Sequence, residues 1–268
     1  MKTTIIAVAN DKGGVGKTTT ALTLGATLAG KGYRVLLIDL DAQCSMTENL
    51  IDYAPQYTVF DAFLGQKTAA AVAPCIVSGD EFKNPIRNID LLPASKNIKD
   101  LEIMLAAKTQ HEKILFKILR AIEIGRNYDF VVIDCPPSLG LLTKNALVVC
   151  DELYVPTTPE YTPVAGLVKL QEECEEIAEE LNPGLRITGI IITRYNPTKN
   201  LNLAADQSLR ENFGPVVFNT RIRENIRIAE SPQFYKDIIS YAPQSNGAKD
   251  YLTLTEEVLK RLETGHDN

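Results

Sequence analysis

Tryptophan is absent from this 268-residue chain, and histidine occurs twice. The five cysteines, at positions 44, 75, 135, 150 and 174, are odd in number, and no two stand as CxxC. That pattern argues against a disulfide framework and offers no zinc or iron–sulfur ligand set. No run approaches the roughly 18 consecutive apolar residues that a membrane span needs. The N-terminus passes directly into a strand-like segment, so no secretory signal is expected, and the expected compartment is the cytoplasm. Positive charge is in deficit, with 28 Lys and Arg against 34 Asp and Glu and a formal charge of −6. The whole surface is therefore not a nucleic-acid-binding field, and any DNA contact must come from a local patch. His111 and His266 stand isolated among polar neighbours and read as solvated surface residues. The Tyr and Phe residues read as core or ordinary surface.

What remains is an ordinary globular composition, 45% hydrophobic and 23% charged, in a chain long enough to bury a large core. Strand-like and helix-like segments alternate. Apolar strand runs are expected at 3–9, 33–41, 88–95, 128–137, 152–159 and 185–195. Helices are expected at 20–30, 99–124, 162–181, 201–213 and 248–262. This alternation predicts an α/β fold, a mainly parallel twisted sheet flanked by helices on both faces. No linker or repeat divides the chain, so residues 1–268 are expected to form one domain.

Residues 10–20 read NDKGGVGKTTT. They join the apolar run TTIIAVA to the helix-period run TALTLGATLAG, and strand, glycine turn and helix is the setting of a phosphate-binding P-loop. Gly13, Gly14 and Gly16 let the backbone take positive φ and approach a ligand closely. The N–H groups and positive end of the following helix attract phosphate oxygens. The cradle is expected to comprise Lys12, Gly13, Gly14, Val15, Gly16, Lys17, Thr18 and Thr19. Lys17 would reach the β and γ phosphates, and the Thr18 hydroxyl would sit on Mg²⁺. Open α/β sheets hold ligands at the carboxyl ends of their strands, and three aspartates fall there. Asp134 follows FVVI and precedes CPP, a Walker B pattern for holding Mg²⁺ through its water shell. Asp39 and Asp41 end LLIDLD.

The P-loop departs from G-x-x-x-x-G-K-[ST], with Asp11 where the first glycine belongs and a second lysine, Lys12, opening the loop. The form KGGVGKT resembles the deviant Walker A box of the ParA/MinD ATPases. The resemblance continues through VLLIDLDAQ, YDFVVIDCPPSLGLLTKNAL, YVPTTPEYTPVAGL and NIRIAESP, nearly the whole chain, and is nearest the small Soj-type ParA proteins. It implies ATP and Mg²⁺ as cofactors and an ATP-dependent homodimer in which Lys12 reaches the partner's nucleotide. It also implies non-specific binding of double-stranded DNA by that dimer, slow hydrolysis stimulated by a ParB-type partner, and association with the nucleoid. By the same resemblance Lys12, Lys17 and Asp41 are the catalytic set, Asp41 positioning the attacking water. Asp39 becomes an outer-sphere Mg²⁺ group beside Thr18 and Asp134.

Where the family often has Pro-Arg-Asn-Val-Arg, this chain has Arg223-Glu224-Asn225-Ile226-Arg227. Asn225 aligns with the residue near the adenine edge. The candidate DNA footprint is Lys199, Arg221, Arg223 and Arg227. Two relatives of this reading stay open. One is a positioning ATPase whose cargo is a protein cluster or organelle. The other is a MinD-like membrane switch, which would need a basic amphipathic C-terminal helix, whereas YLTLTEEVLKRLETGHDN has mixed charge. A metal carrier of the same fold finds no support in the cysteine spacing.

Overall fold

Strands buried on both faces need no alternation of polar and apolar residues, and the apolar runs of this chain are of that kind. In the computed structural model, which describes residues 2–65, 68–105, 109–159 and 163–265, they form an eight-stranded sheet. The strands are β1 (Thr4–Val8), β2 (Val35–Asp39), β3 (Val77–Ser78), β4 (Ile89–Leu92), β5 (Phe130–Asp134), β6 (Glu152–Thr157), β7 (Ile187–Tyr195) and β8 (Val217–Arg223). Their order is β3-β4-β2-β5-β1-β6-β7-β8. All neighbours pair in parallel except β3, which runs antiparallel to β4 at the edge.

Alternate residues feed two cores. Ile6 and Val8 join Leu37 and Val132 on one face, against Leu24 and Leu28 of the helix Lys17–Gly30 and Leu254 and Val258 of the helix Asn246–Glu263. Ala7 joins Ile38 and Ile133 on the other, against Leu142, Ala146, Leu167 and Leu209. The Lys17–Gly30 helix lies tight on the sheet, since a Cβ on Gly25 would stand 2.5 Å from Leu37 Cδ2. The Asn246–Glu263 helix spends its apolar stripe on this packing, with Tyr251, Leu254 and Val258 buried. Among the described residues no helix is long and apolar enough to cross a membrane.

The stretch expected as one helix at 99–124 is broken. The structure has a tight turn at Lys96–Asp100, a short helix Leu101–Leu105, a second turn His111–Lys113 and further helices Ile114–Ala121 and Ile124–Asn127. Residues 106–108 of that expectation lie outside the described residues, as do residue 162 of the next helix and His266. Gln110 and Glu123 take left-handed φ of 57° and 50° and interrupt the ladder. Asn145, buried in the helix Leu141–Val149, accepts from Leu115 N and donates to His111 O, which fixes the restart. A capping group from a distant helix outweighed the local periodicity. Strands β3 and β8 lie outside the expected runs: β3 has two residues, and β8 is interrupted by the polar, partly exposed Asn219, Thr220 and Arg221.

All five cysteines are buried and free of disulfides. Burial pushes the Cys44 and Cys75 thiols up to about 11 and Cys174 up to about 12. A thiolate reagent at neutral pH is therefore expected to titrate fewer than about one thiol per folded chain within minutes, because the thiolate is the reactive species. It should titrate all five after unfolding in guanidinium. Rapid reaction of several thiols in the folded chain would contradict this packing.

Candidate nucleotide site

Strand register sets the site. Val8 pairs with Asp134 and Asp134 with Asp39, so the carboxyl ends of β1, β5 and β2 lie side by side. The P-loop leaves β1 there and enters the Lys17–Gly30 helix. Gly14 and Gly16 take φ of 73° and 90°, conformations that side-chain-bearing residues rarely adopt. A Cβ on Gly13 or Gly14 would meet nothing within 4 Å. The space beside these two residues is open, which leaves the backbone accessible to a phosphate. Gly16 is the helix N-cap and offers no side-chain cap, which leaves first-turn N–H groups available to an anion. Val15 is buried, whereas Thr18 and Thr19 are partly exposed at the helix start.

Lys17 is buried and its ammonium donates to Lys12 O at 2.8 Å. Desolvation lowers its pKa, opposed by the charges of Asp134 and Asp41. The loop is braced from behind. Lys12 N donates to Asn10 Oδ1 at 3.0 Å, and Asn10 Nδ2 to Pro156 O at 2.8 Å. Thr193 Oγ1, near the end of β7, donates to Val15 O at 2.8 Å. A Cβ on Gly166 would lie 3.7 Å from Lys12 Cε and 3.5 Å from Asp11 Oδ1, so the start of the Pro163–Glu180 helix passes close to the loop's first lysine.

The two buried strand-end aspartates differ sharply. Asp134 is fully buried, and neither carboxylate oxygen has a hydrogen-bond partner. Burial, with the nearby Asp39 charge, pushes its carboxyl well above the ordinary range, and the Thr18 hydroxyl close by offsets only part of this. A buried carboxylate without partners is costly unless a cation pairs with it. The donor set, one orphaned carboxylate beside the Thr18 hydroxyl and an anion cradle, suits a hard, water-bearing cation such as Mg²⁺. Asp39, also fully buried, is saturated by protein donors: Oδ1 accepts from Asp41 N, and Oδ2 from Thr47 N and Thr47 Oγ1. Burial raises its carboxyl to about 6 against those three bonds. Asp41 lies just past β2, partly exposed, and its Oδ1 accepts from Gln43 N at 2.9 Å. Leu40 N donates to Asp134 O, tying this loop to the Walker B strand.

The residues expected at the base and on DNA lie in β8 (Arg221, Arg223) and just after β7 and β8 (Lys199, Asn225, Arg227), where Glu224 N donates to Tyr195 O. Asn225 caps the Ile226–Glu230 helix, its Oδ1 accepting from Arg227 N, which leaves its amide NH₂ for a base edge. The four basic residues fall into two kinds. Arg221 is held by buried Asp206, with its guanidinium carbon 5.4 Å from the centre of the Tyr195 ring, and Arg223 grips buried Asp250 through Nε and Nη2. Lys199 and Arg227 are more exposed and pair with Glu224 and Glu230. Sequence reading missed Asn10, Thr47, Thr193 and Gly166. Asn10 stands at the mouth of the loop itself, whereas Thr47, Thr193 and Gly166 act on the site from distant parts of the chain that no local pattern marks.

A parallel sheet of this order with a two-lysine P-loop over an orphaned strand-end aspartate defines a P-loop ATPase of the deviant Walker A kind. A family model described as an AAA domain matches residues 3–187. The chain is 36% identical over 259 residues to the chromosome partitioning protein ParA of Caulobacter vibrioides, covering 96% of this chain and 94% of that protein. It is 38% identical over 256 residues to the sporulation initiation inhibitor protein Soj of Bacillus subtilis, covering 95% and 97%. Its fold superposes on cobyrinic acid a,c-diamide synthase of Mycobacterium smegmatis, solved with ADP and magnesium. There the TM-score is 0.81 at 28% identity, over 98% of this chain and 96% of that one. The chain belongs to the ParA/Soj family of partitioning ATPases.

Proposed function

We propose that this protein is an ATP-driven partition switch of the cytoplasm. It binds Mg-ATP, dimerises through Lys12, associates non-specifically with nucleoid DNA, and releases when a ParB-type partner stimulates hydrolysis to ADP and phosphate. The observation that carries the reading is the P-loop itself, with two lysines on one open glycine cradle and Asp134 orphaned beside Thr18. Gly13 to Thr19 hold the phosphates through backbone N–H groups, and Lys17 exchanges its bond to Lys12 O for phosphate oxygens. Thr18 and Asp134 would hold Mg²⁺, and the ion would supply positive charge beside the phosphates. Asp41 orients the attacking water from the first switch.

DNA binding tests the functional half of this reading. With a chain charge of −6, one protomer offers only a small basic face, and a two-fold dimer doubles it. Binding should require ATP, ignore sequence and weaken steeply with salt, because phosphate contacts release counterions. Arg227→Glu and Lys199→Glu should each weaken binding to all duplexes alike. Each should lower the salt slope by about 2 per dimer, roughly one contact per protomer. Arg223→Glu is a different variant, since it leaves buried Asp250 facing a like charge and should lower the melting temperature. The measurement is fluorescence anisotropy of unrelated duplexes at two or more salt concentrations, with ATP and with ADP. Equal binding in both nucleotide states, or undiminished binding in Arg227→Glu, would overturn the DNA assignment.

A further inference from the structure

Thr47 stands outside the P-loop and both aspartate motifs, yet its hydroxyl occupies a junction. It is buried, in the third position of the Ser45–Leu50 helix, whose N-cap Cys44 has left-handed φ of 54° and provides no side-chain cap. Asp39 supplies that cap from the end of β2, its Oδ2 accepting from Thr47 N at 3.0 Å. Thr47 Oγ1 donates to the same oxygen at 2.8 Å and accepts from Ala94 N, just beyond β4, at 2.9 Å. The hydroxyl thus joins three elements: the end of β2, a helix start and the segment after β4.

The loop closed by this junction contains Asp41. Asp41 N donates to Asp39 Oδ1, Gln43 N to Asp41 Oδ1, and Cys44 N to Asp41 O. Among the described residues, the hydrogen bonds of Asp41 itself therefore lie between the two anchors, Asp39 and Thr47, while Leu40 N to Asp134 O holds the near end of the loop. The phosphate cradle is braced elsewhere: Lys17 Nζ donates to Lys12 O, and Thr193 Oγ1 donates to Val15 O. We propose that Thr47 is a positioning residue for hydrolysis. Its hydroxyl pins the first switch between Asp39 and the Ala94 amide, and so fixes the carboxylate of Asp41 relative to the nucleotide. The proposal rests on the ATPase reading above and extends it to a residue that touches neither phosphate nor water.

Thr47→Val is nearly isosteric and removes both hydroxyl bonds, leaving the Ala94 N–H without its acceptor. Thr47→Ser keeps the hydroxyl and removes only a methyl group. With the full chain, steady-state ATP hydrolysis gives kcat, and a fluorescent ATP analogue gives the nucleotide Kd. In Thr47→Val, kcat should fall about tenfold or more while the Kd stays within about twofold, the signature of lost positioning rather than lost binding. Thr47→Ser should retain kcat within about threefold, since the bonds that set the geometry persist. In an Asp41→Ala background, Thr47→Val should cost little further, because residues acting as a unit are not additive. If Thr47→Val does not fold, Thr47→Ala takes its place beside Thr47→Ser. Wild-type kcat in the hydroxyl-less variant, equal loss in Thr47→Ser, or a fall in nucleotide affinity matching the fall in rate would overturn the pin. An inactive wild-type chain would instead sink the ATPase reading.

Discussion

Asp41→Ala is expected to bind ATP and hold it, with turnover lowered about 10²-fold or more, the usual range for losing a group that positions or deprotonates a nucleophile. No hydrogen bond among the described residues ties the phosphate cradle to this side chain, and its charge on Lys17 is seconded by that of Asp134. Its oxygen accepts only from Gln43 N, within its own loop, while the cradle is braced by Asn10, Lys12 O and Thr193. On the proposed role, truncation removes a transition-state contact and spares the ground-state ones, which is the condition for a fall in kcat without a matching rise in Kd. The measurement is phosphate release in parallel with chromatography of nucleotide retained by the protein after incubation with ATP and Mg²⁺. The variant should retain ATP where the wild type retains ADP. Wild-type turnover in Asp41→Ala would remove this residue from the mechanism.

Lys12→Ala should abolish the ATP-dependent dimer while leaving nucleotide binding close to normal. Lys17 uses the main-chain carbonyl of Lys12, and that bond survives truncation to Ala. The lysine side chain is partly exposed at the mouth of the loop and close to Gly166, at the start of the Pro163–Glu180 helix. From there it can extend to a phosphate in a facing protomer. A cation meeting phosphate in a desolvated interface is worth far more than the same pair in water, and truncating such a partner costs roughly 2–5 kcal/mol. That weakens the dimer about 30-fold at the least. Light scattering with ATP and Mg²⁺ across a protein concentration series reads the result, with ADP as the reference state. A variant that dimerises like the wild type would show that another group carries the interface.

The parts of this protein legible in one dimension are those whose physics is local. The P-loop is contiguous, and its requirements are satisfied within residues 10–20: positive φ at Gly14 and Gly16, a helix start at Lys17, a hydroxyl at Thr18. The central strands announce themselves because a strand buried on both faces must be apolar throughout, as VLLID and FVVID are. Asp134 was recognisable for the same reason, since a carboxylate closing such a strand lies at the ligand-binding edge of a parallel sheet.

Partners distant in sequence were decided by tertiary structure alone. Asp39 and Asp134 look alike as letters at strand ends. One is saturated by Thr47 and the Asp41 amide, while the other is left open to a cation. The difference depends on how the Ser45–Leu50 helix seats against β2 and β4. Arg221 and Arg223 look like a basic patch in sequence, until the folding of β8 against neighbouring helices brings Asp206 and Asp250 to them from 15 and 27 residues away. The expected helix at 99–124 yields to Asn145 for the same reason. A charge or cap that arrives through packing leaves no periodicity in the chain, because its energy comes from desolvation and geometry that exist only once the elements have docked.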